Sequence, residues 1–237
     1  MPVIVVTGGS NGLGSELLFS LSGASNIINL DKSPPHPVVQ HIDYAECDVS
    51  DYESVSSVAK RIDNIDILIN CAGVNYINWI EHTPDDEWDR IMGVNAKGIF
   101  NTTKAFVYKL AKSKGTILNI VSNASHMPMT NSIAYNASKG AAHIMTLQMA
   151  RELRRNDITV FGVSPNKLSD TKMSSYIDNT VPGLRGWTKE EAQAYQLKNL
   201  PAGEETDPTT LAEFIAFLLS TKKRHKYLAG CVIPYGA

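Results

Sequence analysis

An apolar run, Val3–Val6, leads directly into Thr7-Gly8-Gly9-Ser10-Asn11-Gly12-Leu13-Gly14, and a helical pattern, Leu13–Leu21, follows. A strand, a sharp glycine turn and a helix in that order leave few folds open. Glycine is required where the chain reverses and a ligand must approach bare backbone. The free N–H groups of the helix start then suit an anion such as a diphosphate. The spacing is G-x-x-x-G-x-G, not the commonly quoted G-x-G-x-x-G. Gly8-Gly9-Ser10-Asn11-Gly12 also fits G-x-S-x-G, the strand-to-helix turn that carries a hydrolase nucleophile, with Ser10 in that role. Two features oppose the hydrolase reading: the turn ends the first strand, and Gly14 has no part in it. Asp31 decides the matter. It follows the apolar run Asn26–Leu30, at the distance from Gly14 where a dinucleotide fold places a carboxylate for the adenosine ribose hydroxyls. A carboxylate there repels the 2′-phosphate of NADP and favours NAD, although Lys32 beside it softens that repulsion.

Strand-length apolar runs and helical patterns alternate along the rest of the chain. Val3–Thr7, Asn26–Leu30, Ile65–Asn70, Thr116–Val121, Thr159–Val163 and Cys231–Pro234 read as buried strands, with a weaker one around His41–Cys47. Leu13–Leu21, Tyr52–Arg61, Glu87–Lys112 (two helices), Ile133–Arg154 and Thr209–Leu219 read as helices. Near-continuous apolar strands have both faces covered. The expectation is an α/β protein: a Rossmann-type doubly wound parallel sheet of about seven strands, in a three-layer α/β/α sandwich. One domain, residues 1–237, accounts for the whole. Residues 169–208 break the rhythm, with scattered Pro, Gly and Trp, and read as a substrate lid.

Bulk properties narrow the partners. With 22 basic and 24 acidic residues the formal charge is −2, which gives no basis for nucleic acid or an anionic membrane. The basic run Lys222–Lys226 reads as a solvated helix end. No stretch reaches the roughly 18 apolar residues of a membrane span. No secretory leader is expected, since Gly8 and Gly9 interrupt the first apolar run. The three cysteines, Cys47, Cys71 and Cys231, form no C-x-x-C pair. A reducing compartment, the cytoplasm, and no metal site are expected.

Tyr135 and Lys139 stand at i and i+4, on one face of the helix Ile133–Arg154. Spacing alone is weak evidence, because Tyr108 and Lys112 share it. Ser122 separates the two pairs: it closes the strand Thr116–Val121, upstream of Tyr135. The same count back from Tyr108 reaches Asn95, in a helical region with no strand behind it.

With these residues the chain resembles the classical short-chain dehydrogenase/reductase family over nearly its whole length. It carries Thr7-Gly8-x-x-x-Gly12-x-Gly14, Asp48-Val49, Asn70-Cys71-Ala72-Gly73, Val94-Asn95, Ser122 and Tyr135-x-x-x-Lys139 in the family's order. The resemblance implies that Tyr135 exchanges a proton with the substrate oxygen, and that Lys139 favours the phenolate and holds the nicotinamide ribose. It implies that Ser122 orients the substrate oxygen and that Asn95 holds a water linking Lys139 to solvent. Gly8, Ser10, Asn11, Gly12, Leu13 and Gly14 then hold the diphosphate. Asp31 takes the ribose, Asp48 and Val49 the adenine, and Asn70, Ala72 and Gly73 shape the wall after the fourth strand. Pro165 and the Leu168 backbone meet the carboxamide. Three positions depart from the family. Cys71 stands where Asn is commoner. Asn166 replaces a Gly, tolerable if the backbone is left-handed there. Thr171 is one place late, so either the loop bulges or Asp170 takes its position.

Asn75, Tyr76, His126, Met127 and Met129, with Tyr176, Arg185 and Trp187 of the lid, are expected to face substrate. Met and Trp suggest apolar walls; His126 and Arg185 suit a carboxylate or a polyol. The family's four-helix contact implies a homodimer or homotetramer through Asn95–Lys112 and Ile133–Arg154. The expected function is an NAD(P)-dependent oxidoreductase acting on a secondary alcohol or carbonyl, with NAD favoured. The alternative is a non-catalytic nucleotide-binding regulator on the same fold, suggested by the departure at Asn166.

Overall fold

A computed structural model describes residues 1–23, 25–35, 42–198, 200, 202–221 and 225–236. Most of the basic run, Lys222 to Arg224, and His41 at the start of the weaker strand lie outside them. The chain forms β1 (Val3–Thr7), α1 (Gly12–Leu21), β2 (Asn26–Asp31), β3 (Ile42–Glu46), α2 (Tyr52–Arg61) and β4 (Ile67–Asn70). Then come α3 (Asp85–Met92), α4 (Gly98–Ser113), β5 (Thr116–Ile120), α5 (Ile133–Glu152) and β6 (Thr159–Pro165). The lid helices α6 (Lys172–Arg185) and α7 (Lys189–Lys198) precede α8 (Pro208–Leu219) and β7 (Val232–Tyr235).

The seven strands make one sheet in the order β3-β2-β1-β4-β5-β6-β7, and every pairing is parallel. Strand alternation explains the continuous apolar runs. Ile4 and Val6, Ile67 and Ile69, Leu118 and Ile120 point into a core shared with Leu17 of α1 and Leu211 and Ile215 of α8. Their neighbours Val5, Leu68 and Ile117 point into the opposite core, with Val55 of α2 and Phe106 and Leu110 of α4. Burying one such side chain stabilises the fold by about 1.5–3 kcal/mol. Polar substitution on either face is therefore costly.

The order reverses between β1 and β4, and a parallel sheet opens a crevice at the carboxyl ends of its strands there. Thr7 pairs with Asn70 at that edge. The Thr7 hydroxyl accepts the N–H groups of Cys71 and Ala72, both at 3.1 Å, and so fixes the chain leaving β4.

The segment Glu87–Lys112 is two helices as expected, and the break between them is a π turn, Gly93–Lys97. Residues 169–208, expected from the sequence to form a substrate lid, contain the two helices α6 and α7. Met173, Ile177 and Val181 stand four apart on α6 and line the cavity described below. Pro182 and Gly183 near its end conceal that period, and the left-handed Gly186 closes the helix.

Candidate active site

The glycine turn is tied from both sides. Gly8 has φ +71°, and a Cβ there would come within 2.6 Å of the Ala72 Cα. Asn29, a polar residue in an otherwise apolar strand, accepts the Gly9 N–H (3.0 Å) and donates to the Ser10 hydroxyl (3.0 Å). Ser10 Oγ in turn donates to the Ser33 carbonyl at 2.6 Å. Ser10 is thus buried and turned away from the crevice, which removes the nucleophile reading. α1 starts at Gly12 with no side chain capping it. Its first N–H groups are left for an anion.

One cavity of about 650 Å³ runs from this turn across the sheet edge to the lid, within the range of small-molecule and cofactor sites. Of the expected cofactor residues, Gly8, Asn11, Gly12, Leu13, Gly14, Asp31, Asp48, Val49, Ala72, Gly73, Tyr135, Lys139, Pro165 and Leu168 line it. Ser10, Asn70 and Asn95 stand behind its wall. Asn70 donates to Asn119 (2.8 Å) and accepts from Thr102 (2.7 Å), bracing β4 against β5 and α4.

Asp31 accepts the N–H groups of Ser10 (3.0 Å) and Ser33 (3.2 Å). A carboxylate has about four acceptor positions, so two remain for ribose hydroxyls. Lys32 turns from Asp31 to Asp48, at 2.8 Å. Burial raises the Asp48 carboxyl, but Lys32 and the two bonds from Ser50 outweigh it and hold the group below its ordinary value. The Val49 carbonyl takes the Asn101 amide at 2.8 Å, which fixes the backbone of this cavity-lining residue.

Deeper in, Tyr135 sits in the first turn of α5 and Lys139 one turn on. Lys139 Nζ lies 5.8 Å from the Tyr135 ring centre and donates to the Ile120 carbonyl at 2.9 Å. Ser122 follows β5 and is buried, its Oγ accepting from the Ala124 N–H at 3.2 Å. Burial pushes the Tyr135 phenol up, opposed by the Ser122 hydroxyl beside it. The Tyr108 pair is a surface accident: Tyr108 is 80% exposed.

Asn95 is fully buried in the π turn. Its amide donates to the Val74 carbonyl (2.9 Å) and to Ser138 Oγ (3.0 Å), and its Oδ1 accepts the Val74 N–H (2.8 Å). Ser138 donates to the Tyr135 carbonyl at 2.8 Å. Both amide donors are thereby engaged, and the chain Asn95–Ser138–Tyr135 sets the first turn of α5 against the loop after β4. Sequence reading missed Ser138, whose signal was a hydroxyl on the buried face of α5.

Burial also depresses the Lys139 ammonium from an ordinary 10.5 to about 8, offset by the Cys71 thiol, which burial itself pushes up to about 12. The stability effect has a definite sign. Below pH 8 both folded and unfolded chains hold the Lys139 proton, and the burial cost is present in full. Between pH 8 and 10.5 the folded chain releases it first, so stability rises with pH. From pH 7.5 to 10 the gain from Lys139 is about 2 kcal/mol. Urea midpoints measured at those two pH values will show wild type gaining on Lys139→Met; parallel changes would contradict the shift.

The loop after β6 corrects one expectation. Asn166 has no positive φ; among the described non-glycine residues of this loop, Asp170 does, at +51°. The extra residue is absorbed there as a left-handed bulge, and Thr171 then caps α6 through a reciprocal bond with Ser174. Asn166 instead points inward, donating to the Gly236 carbonyl and accepting from Thr206, so it ties the loop both to the residue after β7 and to the segment before α8. Leu168 and Thr206 form a parallel bridge. Its bonds run through the Lys167 carbonyl and the Ser169 N–H, leaving the Leu168 backbone groups unused by the bridge.

At the lid end Asn75, Met127, Met129, Arg185 and Trp187 line the cavity as expected, and Tyr195 joins them. Tyr76, His126 and Tyr176 do not. The Tyr176 hydroxyl accepts the Ile77 N–H at 3.1 Å and pins the lid to the loop after β4. The described residues contain no helix able to cross a membrane and no metal-binding cluster. All three cysteines are free thiols.

The short chain dehydrogenase family model matches residues 2–181. The chain is 28% identical over 251 residues to the 2,3-dihydro-2,3-dihydroxybenzoate dehydrogenase of Bacillus subtilis (strain 168), covering 99% of this chain and 95% of that one. It is 30% identical over 230 residues to the NAD-dependent glycerol dehydrogenase of Listeria innocua serovar 6a, covering 92% and 86%. An NAD⁺-bound xylitol dehydrogenase shares the fold with a TM-score of 0.89, at 22% identity, over 100% of this chain and 98% of that one. The protein belongs to the short-chain dehydrogenase family. It is an oxidoreductase of the dehydrogenase/reductase class.

Proposed function

We propose that this protein is an NAD-dependent dehydrogenase/reductase interconverting a secondary alcohol and a ketone, with Tyr135 as the general acid/base. One observation carries the reading: a single cavity joins the uncapped start of α1 and the Asp31 carboxylate to Tyr135, Lys139 and Ser122. The residues fit a dinucleotide. The glycine turn leaves backbone N–H groups for a diphosphate, and Asp31 keeps acceptor positions for a ribose. When bound there, a nicotinamide would supply the hydride chemistry, accepting a hydride for oxidation of the carbinol and donating one for reduction of the ketone.

The chain supplies the rest. Ser122 donates a hydrogen bond to the substrate oxygen and holds it beside the Tyr135 hydroxyl. Tyr135 takes the hydroxyl proton in oxidation and delivers it to the forming alkoxide in reduction. Lys139 places positive charge against the phenolate and stabilises it. Asn95 and Ser138 hold α5 in register with the substrate wall. The exposed Phe100, Tyr108 and Ile144 on α4 and α5 support self-association through that face.

An activity screen with NAD against alcohols, polyols, hydroxy acids and steroids tests the reaction class, and silence across all four would sink it. NADH fluorescence titration tests the cofactor. NADH should bind at least tenfold tighter than NADPH, and Asp31→Ser should erase most of that preference by removing the repulsion of the 2′-phosphate. Tighter NADPH binding by wild type would overturn the role given to Asp31.

A further inference from the structure

We infer that Arg185 is the specificity residue of the lid and that the substrate is a carboxylate-bearing alcohol or ketone; this rests on the cavity being the active site proposed above. The lid end of the cavity has apolar walls, including Met127, Met129, Ile177 and Val181. Arg185 lines it with them. Its guanidinium carbon lies over two aromatic rings that pack on each other, 4.8 Å from the Trp187 centre and 5.6 Å from the Tyr195 centre. Its Nε donates to Asn131 Oδ1 (3.0 Å) and its Nη2 to the Thr130 carbonyl (3.2 Å). Both partners are neutral. A guanidinium carries five N–H donors, so three are left over.

The other cations of the chamber are placed elsewhere: Lys139 stands at the reacting end on the Ile120 carbonyl. Lys167 pairs with Asp178 and Glu205 across the base of the lid. Lys172 opens α6 next to Thr171, whose methyl would meet a Cβ on Gly12 at 3.5 Å, so it belongs to the diphosphate end. Among the described residues no carboxylate pairs with Arg185. A half-buried cation without a counter-charge is unfavourable in an apolar chamber, and stacking on aromatic rings offsets only part of that. A planar carboxylate on the substrate completes the arrangement, because the guanidinium edge binds it through two parallel N–H···O bonds.

Position supports the assignment. Asn131, which Arg185 grips, lies four residues before Tyr135 and is itself held left-handed at φ +70°. Substrate clamped at Arg185 is thereby referenced to the start of the helix that carries the reacting hydroxyl. One cation matches one carboxylate, whereas a phosphate monoester carries nearly two charges at neutral pH.

Calorimetric titration into protein saturated with NADH tests this with cyclohexanecarboxylate, cyclohexanecarboxamide and cyclohexyl phosphate at pH 7. Failure of NADH to bind would show at the first step and would overturn the cofactor reading, and this inference with it. With NADH bound, the carboxylate should bind at least tenfold tighter than the amide. Arg185→Gln should abolish the difference, and Arg185→Lys should keep part of it, since the charge stays while the fork is lost. NADH affinity of each variant reports that it is folded. Equal affinities, binding of neither probe, a preference that survives Arg185→Gln, or tighter binding of the phosphate would overturn the inference.

Discussion

Tyr135→Phe should lower turnover by about 10³-fold while NADH affinity changes by less than about tenfold, the range expected when one positioned acid/base group is removed. The substitution deletes a single oxygen from a half-buried side chain and leaves the ring under Lys139. Ser122, Lys139 and the cofactor wall keep their places, so the loss falls on kcat rather than on binding. The phenol also gives the reaction a pH dependence of known sign. Burial raises its pKa in the unliganded protein, and among the residues around it the Ser122 hydroxyl pulls it back. Alcohol oxidation needs the phenolate, so its rate should climb as pH rises from 6 toward 8, the range in which Lys139 keeps the charge that favours it. Ketone reduction needs the phenol and should not. Steady-state rates in both directions, with wild type and Tyr135→Phe, will check the magnitude and the sign. Turnover by the variant equal to wild type would exclude Tyr135 as the base.

The Tyr135 pair illustrates how the sequence could be read. Tyr135–Lys139 and Tyr108–Lys112 are identical in spacing, and only Ser122 at the end of a buried strand distinguishes them. Ser122 reaches Tyr135 only if β5 lies inside a parallel sheet, and the continuous apolar runs imply such a sheet. The same runs placed every described strand to within about two residues. Asn166 shows the opposite. Its residue type fits either a left-handed backbone or a buried anchor, and which applies depends on Thr206 and Gly236, 40 and 70 residues away. The extra residue in that loop was absorbed at Asp170 instead. The lid helices were hidden for a different reason. Pro182, Gly183 and Gly186 are strong breakers locally, yet they fall in the last turn of α6 and just beyond it. Met173, Ile177 and Val181, together with the Thr171 cap, were the overlooked helix signal. The bonds of Asn95 to Val74 and Ser138 join residues 21 and 43 positions apart, which spacing along the chain does not reveal.

Gly14→Ala should unfold the protein at lower temperature and weaken NADH binding together, because the turn has no room for one methyl group. A Cβ on Gly14 would overlap the Gly8 carbonyl oxygen and press on the Gly9 Cα. These are backbone atoms, so no side chain can swing aside. Gly8 cannot retreat either: Ala72 closes it in, and its N–H is bonded to the Leu30 carbonyl at 2.9 Å. The methyl therefore opens the turn that presents N–H groups to the diphosphate. Overpacking of this kind costs about 3 kcal/mol, or roughly 6–12 °C in Tm for a chain of this size. Gly183→Ala is the matched control. It lies within α6 with nothing near its would-be Cβ, and replacing a helical glycine should raise stability by about 0.5–1 kcal/mol. Thermal unfolding and NADH titration of the two variants separate the readings. If a glycine at position 14 mattered only for chain flexibility, both substitutions would stabilise. Steric closure of the turn predicts opposite signs, with NADH affinity lost in Gly14→Ala alone.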